Sequence, residues 1–125
     1  MASLNISDID LINCHGTSTP LGDKIECIGI NKVFGDKAAT LPVHSTKSMT
    51  GHLLGGTSAV EAIADIMTFE QNTVHLTANQ FEQDPEINLN VIKETMDGKK
   101  VKHILSNAFG FGGMNAVVIM SRFNG

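Results

Sequence analysis

Two histidines, one lysine and a glycine-rich aromatic loop are the parts of this chain best suited to chemistry. His15 lies in Asn13-Cys14-His15-Gly16-Thr17-Ser18-Thr19-Pro20. His52 closes Lys47-Ser48-Met49-Thr50-Gly51-His52, just ahead of Leu53-Leu54-Gly55-Gly56. Imidazoles donate and accept hydrogen bonds, move protons and bind metals. The third stretch, Asn107-Ala108-Phe109-Gly110-Phe111-Gly112-Gly113, sets two aromatic rings on a backbone that can approach a ligand closely. The functional question is whether His15 and His52 meet.

Each stretch has a plain structural alternative when taken alone. His15 at a strand end can be a satisfied core histidine, and His52 a residue at a helix terminus. Two histidines could also bind a metal, but no third His, Cys, Asp or Glu stands at a recognisable ligand spacing. Gly110-Phe111-Gly112-Gly113 lacks both the pattern of a phosphate-cradling loop and the helix that should follow it. Lys47-Ser48 lacks the upstream glycine of a nucleotide-binding loop. Cys14 and His15 are adjacent on a strand and point to opposite faces, which argues against a thiolate–imidazole dyad.

The chain that must position these residues has 125 residues, 42% hydrophobic and 18% charged. That is enough for one domain with a modest core and is the composition of a globular protein. A net charge of -4 argues against nucleic acid or an anionic membrane as partner. No apolar run approaches the roughly 20 residues that span a bilayer, and the first residues carry neither a basic flank nor an apolar signal core. The two cysteines form no disulfide framework, so a reducing compartment is expected, the cytoplasm or an organelle matrix. Without Trp or Tyr, no surface can be built on those aromatics.

Hydrophobic periodicity supplies the elements. Ile9 to Cys14 reads as a strand ending at His15. Thr19 and Pro20 suit the cap and first position of a helix running to about Gly35, with Leu21, Ile25, Ile28, Val33 and Phe34 as its stripe. Leu41 to Ser45 is a second strand leading into the Lys47 stretch. A long helix is predicted from about Leu53 to Glu70, with Ala59, Val60, Ile63, Ile66 and Met67 on one stripe. Val74–Thr77, Leu89–Ile92 and Val101–Leu105 are short strand candidates. Ala116–Met120 reads as a strand buried on both faces, joined to its predecessor by the glycine-rich loop as a hairpin. The order strand–helix–strand–helix–strands gives an α/β layer architecture with a mixed sheet.

The three stretches, in this order, are much more specific than any one. His-Gly-Thr-Ser-Thr-Pro-Leu-Gly-Asp, then Ser-Thr-Lys-Ser-Met-Thr-Gly-His, then Asn-Ala-Phe-Gly-Phe-Gly-Gly-Met-Asn resembles the C-terminal part of the β-ketoacyl-acyl-carrier-protein synthases. These are decarboxylating condensing enzymes of the thiolase fold. The resemblance runs from about Ile9 to Arg122 and is strongest to the elongating synthase II type. Modular polyketide ketosynthases usually carry Gly at the place of Ser18 and Asn-Ile at that of Met49-Thr50.

The resemblance implies a thiolase-like fold, present as part of its C-terminal half, and a decarboxylative Claisen condensation of an acyl thioester with malonyl-carrier protein. It implies that His15 and His52 donate hydrogen bonds to the enolate oxygen. Lys47 matches the family's site lysine, a cation near His52 that would keep that ring neutral, and Glu61 the glutamate that pairs with it. Thr17 and Thr19 match hydroxyls that contact the phosphopantetheine arm. Phe109 and Phe111, with Gly110, Gly112 and Gly113, match the terminal loop whose second aromatic gates the acyl pocket. No cofactor is implied beyond the phosphopantetheine that carries the substrates. The implied partners are acyl carrier protein and, in the full enzyme, a second identical subunit. The family nucleophile belongs to an N-terminal half that this chain does not match, so a missing half or a complementary chain is expected. Cys14 and Cys27 read as small apolar fillers. The chain alone is expected to be inactive and to expose apolar surface where that half packs. Alternatives are a polyketide ketosynthase fragment, a non-catalytic partner resembling a chain-length factor, and a module that binds acyl chains or pantetheine.

Overall fold

The computed structural model describes residues 2–123. Five strands form one sheet: β1 (Leu11–Asn13), β2 (Pro42–His44), β3 (Asn90–Val91), β4 (His103–Gly110) and β5 (Met114–Ser121). Their spatial order is β3-β2-β1-β4-β5. β1 pairs in parallel with β2 and with β4, and β2 in parallel with β3, while β4 and β5 form an antiparallel hairpin. The sheet is therefore mixed, as expected. Three helices accompany it: α1 (Pro20–Phe34), the single-turn α2 (Lys47–Thr50) and α3 (Thr57–Gln71).

Side chains alternate across a strand, so β1 builds both sides of the sheet. Ile12 and Cys14 join Cys27, Ile30 and Phe34 of α1 in one apolar cluster with Val43 and Leu41. Leu11 turns the other way and joins Phe69 of α3, Val74, Val101 and Ile104. The molecule is a three-layer α/β/α arrangement, with α1 and α3 on opposite faces.

The boundaries of α1 follow its sequence signals. Thr19 caps it with extended backbone, Pro20 fills its first position, and Gly35 ends it at φ 56°. The long helix starts later than its periodicity predicts. Lys47–Thr50 forms a separate turn ended by Gly51 at φ 71°, Leu54–Gly56 a 3₁₀ turn, and α3 begins only at Thr57. Glycine at positions 51, 55 and 56 breaks the continuity that the apolar pattern alone would carry. Val74 contributes only an isolated bridge to Met96.

Both helices are turned opposite to their apolar stripes. On α1, Leu21, Ile25, Ile28 and Val33 are exposed, and the sheet side carries Glu26, Cys27, Ile30 and Phe34. On α3, Ile63, Ile66 and Met67 are exposed, and the sheet side carries Thr57, Glu61, Asp65, Thr68 and Phe69. Polar partners on the sheet ends decide the rotation. Glu26 and Glu61 find donors there, whereas water would satisfy nothing the apolar stripe needs. β5 is likewise an edge strand, with Val117 and Val118 each 55% exposed, and not the strand buried on both faces that its composition predicts. Apolar side chains are thus exposed on both outer helix faces and on β5.

Exposed apolar faces of this kind drive association. Replacing Ile28 and Ile63 by Lys should therefore reduce self-association measured by sedimentation, while shifting unfolding stability by no more than about 0.5 kcal/mol. A monomeric wild-type chain, or a double variant that unfolds, would contradict this reading of the faces.

Candidate active site

The residues singled out from the sequence gather at the carboxyl ends of the parallel strands, where open α/β sheets bind ligands. His15 follows β1, Lys47 opens α2 shortly after β2, and Phe109 stands just before the last residue of β4. Gly16 lets the first two loops touch. At φ 41°, a Cβ there would lie 2.7 Å from Ser45 Cβ, and the Ser45 hydroxyl donates to Gly16 O at 2.8 Å. His15 and His52 meet. Their ring centroids are 5.6 Å apart at 87°, edge to face, and the Phe109 ring lies 5.5 Å from that of His15.

Backbone amides set the protonation pattern of both rings. The Phe109 N–H donates to His15 Nδ1 at 3.3 Å. The Leu54 N–H donates to His52 Nδ1 at 3.2 Å, with the Thr57 hydroxyl 2.8 Å from the same nitrogen. A nitrogen that accepts an N–H carries no proton, so each neutral ring holds its proton on Nε2. The site thus has two adjacent imidazoles presenting Nε2–H donors. Burial disfavours the charged form of His15, and the positive Lys47 and neighbouring His52 add to the effect, so its pKa falls below the usual value. The neutralising influence of Lys47, expected at His52, is found at His15.

Lys47 Nζ donates to Glu61 Oε1 at 2.5 Å, with both side chains almost fully buried. Burial raises the Glu61 pKa, and the hydrogen bond and charge of Lys47 oppose that shift. A second carboxylate holds the His15 loop from α1. Glu26 accepts the N–H of His15 and of Gly16, each at 2.9 Å, and the Asn107 side-chain amide at 3.0 Å. It thereby ties the His15 loop to β4, whose Phe109 in turn holds the His15 ring.

Thr17 and Thr19 hydroxyls are 3.4 Å apart, and both line a cleft of about 640 Å³ that also reaches Lys47, His52, Asp23 and Thr77. Thr19 makes no side-chain cap bond, so its hydroxyl is not committed to the helix. Phe111 is 99% exposed on the hairpin tip between Gly110 and Gly112. Cys14 also borders this cleft but is otherwise enclosed. It is buried in the apolar cluster toward α1, and burial followed by the nearby Glu26 charge pushes its thiol pKa well up. Cys27 is buried beside it, with Sγ 3.2 Å from Asn88 Oδ1.

Sequence reasoning missed Glu26, Thr57 and Asn13. Glu26 sits among apolar residues of a helix and looks like its solvated side. Asn13 carried a signal, since it stands two residues before His15 on a strand and shares its face.

Residues 1–81 match the family model described as "Beta-ketoacyl synthase, C-terminal domain". The chain belongs to the β-ketoacyl synthase family. It is 45% identical over 117 residues to nodulation protein E of Rhizobium sp. (strain N33), covering 94% of this chain and 29% of that protein. It is 40% identical over 122 residues to the 3-oxoacyl-[acyl-carrier-protein] synthase 2 of Staphylococcus aureus, covering 98% of this chain and 30% of that enzyme. Among solved structures it resembles a type II PKS acyl-carrier protein in complex with its ketosynthase bound to the hexaketide. There the TM-score is 0.92 at 33% identity, covering 97% of this chain and 30% of the matched chain. The fold is accordingly thiolase-like, and the chain spans about 30% of the length of the synthases it matches.

The buried ion pair gives the site a measurable stake in stability. Lys47→Ala leaves the Glu61 carboxylate without its cation and should cost about 3–5 kcal/mol in urea unfolding, most of it regained in Lys47→Met/Glu61→Leu. A loss under about 1 kcal/mol for Lys47→Ala would mean that Glu61 finds water instead.

Proposed function

We propose that this chain supplies the enolate-stabilising side of a 3-oxoacyl-[acyl-carrier-protein] synthase site, in fatty acid elongation by decarboxylative Claisen condensation. The observation that carries the reading is the edge-to-face pair of His15 and His52, each with Nδ1 occupied by a backbone N–H and Nε2–H left to donate.

The chemistry needs such a pair. A cysteine thiolate first takes the acyl group from a carrier thioester and releases the carrier thiol. Malonyl-carrier protein then loses carbon dioxide, and the electron pair of the broken bond becomes an enolate with charge on its thioester oxygen. The enolate carbon attacks the acyl carbon, and the cysteine thiolate leaves. Preorganised donors at the enolate oxygen lower the barrier to decarboxylation, and one such donor is worth on the order of 10²–10³ in rate. A neutral imidazole N–H serves without adding a proton that the reaction must later remove. Lys47 and Glu61 hold the base of the site, Thr17 and Thr19 bind the phosphopantetheine arm, and Phe111 swings on its glycines as the acyl gate, with Phe109 behind it. No cofactor beyond the carrier's phosphopantetheine takes part.

The thiolate comes from another polypeptide segment. Cys14 is held as a buried thiol, and Cys27 lies inside the apolar layer. The exposed faces of α1 and α3 suit a complementary half that brings it. The complex with an acyl-carrier protein in the similar ketosynthase supports acyl carrier protein as the substrate carrier here. Both histidines with Lys47 and Glu61 in contact favour chemistry over a pure scaffold, which has no need of them.

Mixing the chain with the N-terminal 70% or so of the Staphylococcus aureus synthase should restore 3-oxoacyl product, read by mass spectrometry of the carrier protein. His52→Ala or His15→Ala in that mixture should cut the rate on the order of 10²-fold or more. Product from this chain alone, or a rate indifferent to both substitutions, would overturn the reading.

A further inference from the structure

One buried polar cluster lies outside the site as described. Asp65 sits one helical turn after Glu61 on α3 and is fully buried. Its Oδ1 accepts the Asn13 amide at 3.1 Å, and its Oδ2 has no partner among the described residues. Asn13 Oδ1 lies 3.4 Å from the Thr46 hydroxyl, which is also 3.1 Å from His75 Nε2. His75 Nδ1 faces the Leu76 carbonyl at 2.9 Å, so that nitrogen carries the proton and Nε2 accepts the single Thr46 hydroxyl proton, which leaves Thr46 Oγ1 and Asn13 Oδ1 in polar contact without a hydrogen bond between them. The His44 ring stacks on His75 at 3.9 Å and donates from Nδ1 to the His75 carbonyl at 3.1 Å.

Two members of this cluster reach the two loops that form the site. Asn13 is two residues before His15, and Thr46 is the residue before Lys47. We propose that Asp65 and His75 are positioning residues, each bonded to one of two touching polar side chains, Asn13 and Thr46, whose contact fixes the His15 loop against the Lys47 turn. Asp65 orients the Asn13 amide so that its oxygen faces Thr46, and His75 holds Thr46 from the far side. Neither residue touches the space in front of the His15 and His52 Nε2 atoms. The consequence for catalysis rests on the function proposed above, but the positioning itself does not.

Charge decides the form in which Asp65 acts. An ionised carboxylate with one oxygen unpartnered in this layer costs far more than a neutral acid. Glu61 on the same helix adds negative charge, and its cation, Lys47, is already bonded to Glu61. β1 and β5 bring no titratable group, and β4 only His103 at its opposite end, where it meets Ser121. Burial, opposed by the Asn13 bond, pushes the Asp65 pKa up to about 7, and burial lowers those of His75 and His44. The sign follows. The unfolded chain releases the Asp65 proton from about pH 4, and the folded chain retains it to about pH 7. Stability from this group is therefore lost as pH rises between those values and is flat above them.

Two readouts on the chain itself, without substrate, test this. In Asp65→Asn the amide oxygen still accepts from Asn13 but no proton is at stake. The ratio of wild-type to variant unfolding constants should rise between pH 4 and pH 7 by a factor on the order of 10²–10³ and then level off. Hydrogen exchange of the Phe109 amide, which is bonded to the His15 ring, should stay slow in Asp65→Asn. It should speed tenfold or more in Asp65→Ala and in Thr46→Val, beyond any change at the remote Ile104 amide. A pH-independent ratio, or Phe109 exchange that follows Ile104 in both truncations, would overturn the proposal. Because no acyl chemistry is measured, either outcome leaves the condensation reading to its own test.

Discussion

Two backbone amides decide what this site can do. The Phe109 N–H fills His15 Nδ1 and the Leu54 N–H fills His52 Nδ1. Without them solvent would choose the tautomer of His15, and the Thr57 hydroxyl, able to donate or accept, would leave that of His52 open. Much of the molecule serves to put those amides in place. Phe109 lies near the end of β4, where that strand pairs with β5, and Asn107, two residues earlier, is bonded to the Glu26 carboxylate that also holds the His15 loop. Leu54 adopts φ 52°, a left-handed conformation costing a leucine on the order of 1–2 kcal/mol. That strain sits at the residue whose N–H meets His52.

The same logic explains the inverted helices. A surface helix normally turns its apolar stripe inward. Here α1 brings Glu26 to the sheet, and α3 brings Glu61 and Asp65. Each buried carboxylate meets a donor on a site loop or strand: the His15 and Gly16 amides, the Lys47 ammonium and the Asn13 side chain. The site is thus braced from both faces of the sheet by charge-assisted or amide hydrogen bonds. Apolar residues are relegated to the outer faces.

How far this was legible in the sequence differs by level. The α/β class, the mixed sheet and the terminal hairpin follow from the order of short apolar runs and one long helical period. The pairing of His15 with His52, and of Lys47 with Glu61, follows from the resemblance of the three motifs. Helix rotation was not legible, because Leu21, Ile25, Ile28 and Val33 form a better stripe than Cys27, Ile30 and Phe34. Periodicity weighs hydrophobicity and cannot see that Glu26 has three donors waiting on other elements. β5 misled for a related reason: a run of β-formers reads as buried, and its exposure depends on strand order. Asp65 and Asn13 are 52 residues apart, and nothing local links them.

The central claim is the protonation pattern of the two site histidines. A long-range proton–nitrogen correlation spectrum of the histidine-labelled chain at pH 7.5 reads it directly, with His15 and His52 assigned by substitution. Both rings should show a protonated Nε2 and an unprotonated, hydrogen-bonded Nδ1. A proton on Nδ1 of either ring, or rapid exchange between the two nitrogens, would contradict the account.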